Sequence, residues 1–203
     1  MTFERGPMQV DFWFEFASTY SYLSAMRLPA RAAQAGITLR WRPFLLGPIF
    51  AAQGWDTSPF NLYAAKGNYM WRDMVRQCDR LGLQLHRPDP FPQNSLLAAR
   101  VATAAAEGPQ RIAFIHNIYL AEFSEQLDIS DPDVVAACAN AAGLPGDIMD
   151  RAGTDPVKHA LRQTTEEATR LGIFGAPSFT VGQELFWGDD RLQQALDWAV
   201  AHG

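Results

Sequence analysis

At 203 residues, 48% hydrophobic and 19% charged, the chain has the apolar material for a packed core, in one domain or two intimately packed subdomains. Its net charge of −5, from 17 basic and 22 acidic residues, comes without any basic run, which excludes a nucleic-acid surface and leaves anionic ligands to local groups. No apolar stretch reaches membrane length, and Met1 to Gln9 carry Glu4 and Arg5 without an apolar leader core, so a soluble, cytoplasmic protein is expected, binding neither nucleic acid nor membrane.

The apolar, aromatic run from about Met8 to Phe16 predicts a first strand. A helical pattern follows from about Tyr20 to Ala35, closed by Gly36 as a C-cap signal. Ile37 to Arg42 alternate apolar and basic residues and read as a second strand, which Pro43 ends. Such a βαβ unit makes the two strands parallel with a right-handed crossover. From Pro48 to Ala152 strand character is weak. Helices are expected over Trp71 to Leu81, Ser95 to Glu107, Arg111 to Ser124, and from Asp131-Pro132-Asp133 to about Ala142, with a short piece at Asp147 to Ala152. One more helix spans Pro156 to Leu171. Gly175 to Val181 then reads as a loop into a strand, Gly182-Gln183 as a hairpin turn, Glu184 to Trp187 as the return strand, and Asp190 to Ala201 as a last amphipathic helix. This order matches an α/β, thioredoxin-like core, residues 8–47 and 156–203, interrupted by a helical insertion domain, residues 48–155.

Ser18 stands where the first strand hands over to a helix. Unpaired N–H groups and the positive end of the macrodipole favour an anion there, a thiolate or a phosphate. A Cys-x-x-Cys pair would occupy this place in a thioredoxin-like fold, but the four slots read Ser18-Thr19-Tyr20-Ser21. Any sulfur must therefore arrive with a ligand. Cys78 and Cys138 lie far apart and lack metal-ligand spacing. They read as two buried or half-buried free thiols, with a structural disulfide as the alternative. The histidines are scattered and read as structural or surface residues.

Each candidate also has a plainer reading. Ser18 could be a simple N-cap, as could Thr19 or Ser21. Ala176-Pro177 could be a turn before a strand. Trp187-Gly188-Asp189-Asp190 could be a helix start whose acids complement the dipole. Asn61 and Asn94 suit loops or caps. Tyr69, Met70, Trp71 and Met74, at helical spacing, suit a core or the wall of an aromatic cavity.

FWFEFASTYSYL (12–23), AKGNYMWRD (65–73), Gln93-Asn94-Ser95 and the tail GIFGAPSFTV (172–181) with ELFWGDDRL (184–192) together resemble 2-hydroxychromene-2-carboxylate isomerases. Those enzymes belong to the DsbA-like branch of the thioredoxin superfamily, beside the kappa-class glutathione transferases. The likeness runs from about Val10 to Trp198. It implies a thioredoxin-like fold with a helical insertion and glutathione as cofactor. It places Ser18 against the glutathione sulfur, stabilising the thiolate. It makes Ala176-Pro177 a cis bond, with the Ala176 backbone paired to the cysteinyl unit. It assigns Trp187, Gly188, Asp189 and Asp190 to the γ-glutamyl end, Asp190 suiting the ammonium. It sets Asn61 and Asn94 on the substrate side. Relatives carry a lysine near the position of Phe50 or Ala51; here the first lysine is Lys66, and Lys66 or Arg72 is the candidate substitute. The implied activity is isomerisation of an aromatic-degradation intermediate by reversible thiolate addition; the alternative is conjugation of glutathione by a kappa-type transferase. The partner is a small aromatic molecule, and a homodimer is left open. Thiol–disulfide exchange is disfavoured, since Ser18 to Ser21 contain no cysteine.

Overall fold

The computed structural model describes residues 8–55 and 57–202; of the N-terminal stretch read for a leader, Met1 to Pro7 lie outside these. Strand β1 (Gln9–Phe14) leads to helix α1 (Thr19–Ala35) and strand β2 (Thr38–Pro43). Ser18 caps α1 at its head. Gly36 closes it in the left-handed region, φ 67°, where glycine meets no Cβ penalty. β1 and β2 pair in parallel, Phe12 opposite Trp41, as the βαβ reading requires.

Helices α2 (Leu46–Ala52), α3 (Pro59–Leu62), α4 (Ala64–Leu81), α5 (Leu96–Ala104), α6 (Pro109–Phe123), α7 (Pro132–Ala141) and α8 (Ile148–Ala152) follow in sequence. Helix α9 (Asp155–Arg170) then leads to the hairpin of β3 (Ser178–Val181) and β4 (Glu184–Trp187), which turns at Gly182-Gln183 with Val181 opposite Glu184. A single 3₁₀ turn at Asp189–Arg191 precedes α10 (Leu192–His202). The sheet order among the described residues is β2-β1-β3-β4, with β3 antiparallel to both neighbours.

Several boundaries differ from expectation; α5, for one, stops at Ala104 rather than Glu107. α2 was not foreseen, because Gly47 and Pro48 obscure it; both fall in its first turn, where a proline is tolerated. α4 begins at Ala64 rather than Trp71. Its Gly67 is there for contact, not for a turn: a Cβ would sit 2.4 Å from the Phe60 carbonyl oxygen. The last helix starts at Leu192, since Asp189 and Asp190 belong to the preceding 3₁₀ turn.

β1 is covered on both faces, so its near-continuous apolar run is a buried central strand. Val10, Phe12 and Phe14 join the main core with Tyr22 and Leu23 of α1 and Phe114, Ile118 and Tyr119 of α6. Phe12 stacks on Phe179 and meets Trp41 edge-on, at centroid separations of 5.4 and 5.0 Å. On the opposite face Trp13 packs with Phe44, Ile49, Ala168 and Ile173, and its indole N–H donates to Thr180 Oγ1 at 3.0 Å. Arg42, paired with Glu167 of α9, lies 4.7 Å over the Trp13 ring. A rigid β1 thus fixes the loop that follows it, Glu15 to Ser18. None of the helices is long and apolar enough to cross a membrane among the described residues.

Candidate functional site

A cavity of about 1190 Å³ opens where the head of α1 faces the Gly175-Ala176-Pro177 loop. Ser18 lies at its base. The backbone there is extended (φ −93°, ψ 114°), and Oγ accepts from the Ser21 N–H at 3.3 Å, the N-cap bond expected of a serine. The hydroxyl donates in turn to the Ala176 carbonyl at 2.9 Å. The Ala176–Pro177 bond is cis. The loop and the helix head are therefore locked together through Ser18. The N–H groups of Thr19 and Tyr20 precede the intrahelical ladder and remain the natural anion-binding donors.

Trp187 and Gly188 line the same cavity, and Gly188 N–H donates to the Pro177 carbonyl at 2.9 Å. Gly188 has φ 109° and the Asp190 carboxylate folds against it, so a side chain there would meet both strain and a clash. Asp190 is exposed, with Arg191 at 3.7 Å. Asp189 behaves differently. It is buried, accepts from Ser24 Oγ at 2.7 Å and pairs with Arg27 at 2.5 Å. Arg27 also donates to the Asp189 carbonyl at 3.1 Å. Asp189 thus ties the 3₁₀ turn to the middle of α1, a role the local sequence did not reveal. A second cavity, about 360 Å³, shares Asp189 and Asp190 with the first and is lined by Arg27, Arg31 and Arg80.

The far wall is apolar and aromatic: Phe50, Trp55, Phe60, Tyr69 and Phe91. Asn94 lines it, with Oδ1 accepting from the Leu96 N–H at 3.0 Å to cap α5. Asn61 stands apart from the cavity lining. Its Nδ2 donates to Thr57 Oγ1 at 3.2 Å and to the Phe91 carbonyl at 3.1 Å, bracing the wall from behind. Lys66 lines the cavity and Arg72 does not. Tyr69 lies on that wall, whereas Met70 and Met74 of the same stretch are buried in the core.

Several contributors escaped the sequence reading. Tyr20 donates to Asp73 at 3.0 Å, and burial together with that carboxylate pushes the phenol up beyond its usual range. Glu15 also lines the cavity, held by the Ser95 hydroxyl and pushed up to about 7 by burial. An acid inside the aromatic run Phe14-Glu15-Phe16 was the available signal. Cys78 and Cys138 are buried and free, each thiol pushed up to about 11 chiefly by burial.

The model of the DSBA-like thioredoxin domain family matches residues 9–198, and the chain belongs to that family. It is 29% identical over 185 residues to a 2-hydroxychromene-2-carboxylate isomerase of Sphingobium xenophagum, covering 90% of this chain and 93% of the relative. It is also 29% identical over 202 residues to glutathione S-transferase kappa 1 of Homo sapiens, covering 92% and 88%. A solved structure of a 2-hydroxychromene-2-carboxylate isomerase superposes with a TM-score of 0.84 at 25% identity, covering 95% of this chain and 94% of the other.

Proposed function

We propose that this member of the DSBA-like thioredoxin family is a glutathione-dependent isomerase of the 2-hydroxychromene-2-carboxylate type, acting on an aromatic-degradation intermediate. The observation that carries the reading is Ser18: a hydroxyl at the head of α1, beside a cis-proline loop, in the slot where related folds keep a cysteine. Such a site stabilises a thiolate without supplying one. In this reading residues 8–47 and 156–203 hold the cofactor, and the insertion of residues 48–155 shapes the substrate side.

Ser18 and Ala176 would hold the cysteinyl unit: the Ser18 hydroxyl, which now donates to the Ala176 carbonyl, would be available to a sulfur, and that carbonyl to a cysteinyl N–H. Pro177 keeps that loop extended for the pairing. Asp190 takes the γ-glutamyl ammonium, with Trp187 and Gly188 flanking it. Asp189, anchored by Arg27 and Ser24, fixes the turn that presents Asp190. Arg27 and Arg31, at the cavity shared with these aspartates, provide the counter-charge for the γ-glutamyl carboxylate.

The substrate ring lies against the aromatic wall. Lys66, rather than Arg72, meets its carboxylate, since only Lys66 lines the cavity. Asn94 offers a neutral amide to a substrate oxygen, and Asn61 acts by holding the wall in place. Glutathione held there would supply a thiolate for reversible addition to the conjugated carbon of an enone, which would let the former double bond rotate before it re-forms. Glutathione is returned unchanged.

The 29% identity to a kappa transferase supports the rival reading, in which the electrophile keeps the sulfur. Thiol titration during turnover separates the two. An isomerase interconverts 2-hydroxychromene-2-carboxylate and trans-o-hydroxybenzylidenepyruvate at constant thiol; a transferase consumes one thiol per product. Ser18→Ala is expected to lower turnover on the order of 10²-fold, as loss of one preorganised donor does, while the fold survives loss of an N-cap worth about 1 kcal/mol. Unchanged turnover in a folded S18A protein removes Ser18 from the site.

A further inference from the structure

Three residues before Ser18, Glu15 reaches the cavity although it is only 8% exposed. Its backbone is pinned: its carbonyl accepts from the Ser18 N–H at 3.2 Å and from the Tyr119 hydroxyl of α6 at 3.1 Å. Its carboxylate accepts from Ser95 Oγ at the head of α5. Among the described residues no lysine or arginine forms an ion pair with it.

Behind it, on α6, Glu122 is fully buried and neither carboxylate oxygen has a hydrogen-bond partner. The groups facing Glu15 are therefore Ser95 of the α5 head, Tyr119 and Glu122 of α6, and Ser18 of the α1 head. None carries a positive charge. Burial and then the neighbouring Glu15 push Glu122 well above the usual carboxylate range, so Glu122 is neutral and Glu15 is the member of the pair that titrates near neutrality. Two buried, uncompensated acids are costly to stability. Only Glu15 of the two opens onto the cavity.

We propose that Glu15 is the proton-transfer group of this site, taking the glutathione thiol proton as the sulfur docks at the head of α1. The inference rests on the glutathione reading above. The steps balance. The S–H bond breaks and an O–H bond forms on Glu15. When the C–S bond forms, the alkene electron pair moves to the substrate carbonyl oxygen, which takes the proton from Glu15 as an enol. Elimination reverses this: the enol returns its proton to Glu15, the C=C bond re-forms and the thiolate leaves. On release of the cofactor, Glu15 hands the proton back to sulfur. No oxidant or reductant is needed.

Calorimetry of glutathione binding in buffers of different ionisation enthalpy tests this, because it counts protons released. A free thiol, pKa about 8.5, is mostly protonated at pH 6 and still largely so at pH 8. In the wild type at pH 6 Glu15 is already protonated, so about one proton per site is expected to leave for the buffer. At pH 8 Glu15 is ionised in the free protein; the negative charge of the docked thiolate then holds the transferred proton on the carboxylate, as a like charge does, so release falls toward zero, with the break near pH 7. Glu15→Gln is expected to release about one proton at both values. Equal release by E15Q and wild type across the range overturns the proposal. Ser95→Ala provides a second arm should E15Q fail to fold. Loss of a donor to the carboxylate is expected to move the break upward; an unmoved break overturns the proposal. Absence of any binding heat with glutathione, in wild type and variants alike, overturns the cofactor reading itself and is distinguishable from both.

Discussion

Glu15 leaves a thermodynamic signature independent of any ligand. In the unfolded chain its carboxyl ionises near 4.5; in the fold, burial holds the proton until about pH 7. Between those values the unfolded chain binds fewer protons than the native one, so wild-type stability falls as pH rises. The stabilising contribution of the protonated form is whole below 4.5 and has gone once pH passes 7. A span of about 2.5 pH units at 1.36 kcal/mol per unit amounts to about 3 kcal/mol. Glu15→Gln keeps the shape and an acceptor for Ser95 but removes the titration. Urea denaturation at pH 5 and pH 8 is the assay. From pH 5 to pH 8 the variant is expected to gain about 2–3 kcal/mol relative to wild type, since a small part of the effect is already spent at pH 5. Contributions from acids remote from Glu15 are common to both proteins and cancel in the difference, and Glu122 is held protonated chiefly by its own burial. A wild-type-to-variant difference that stays constant between the two pH values refutes the claim that Glu15 is buried and unpaired.

Two further substitutions probe the opposite wall of the site. Asp189→Ala strips Ser24 and Arg27 of their shared acceptor and is expected to destabilise the fold by about 2–4 kcal/mol, read as a lowered urea midpoint. A loss below about 0.5 kcal/mol, the level of an ordinary surface change, would show that the turn does not depend on this anchor. Gly175→Ala places a Cβ 2.4 Å from Trp187 Nε1, against a ring that is 52% exposed and free to swing. Stability is expected to change by less than about 1 kcal/mol, while displacement of the indole from Phe174, 4.7 Å away, alters the tryptophan emission and raises the glutathione half-saturation. An unchanged spectrum and half-saturation would mean that Trp187 does not close over the loop.

Local physics made much of this protein readable. The aromatic run of β1, the Ser18 cap, Gly36 and the Gly182-Gln183 turn each act within a few residues of chain, and the structure places them as the sequence implies. The missing cysteine at residues 18–21 is equally a property of the sequence, and it dictates that a sulfur in the proposed site must come with a ligand. Asn61 shows where such reading stops. Nothing local distinguishes an asparagine on the cavity wall from one bracing that wall through the Phe91 carbonyl, 30 residues away.

What the chain determined alone was the alternation of elements and the chemical types at their ends, because caps, turns and apolar periodicity are short-range. What only the tertiary structure decided was which of those groups share a space. Ser18 meets Ala176 across 158 residues, Asp189 meets Ser24 across 165, and Glu15 meets Ser95 across 80. Those contacts depend on how β1, α1, α5 and α6 pack around one core, and it is the exclusion of water by that packing that turns an ordinary glutamate into a group titrating near neutrality.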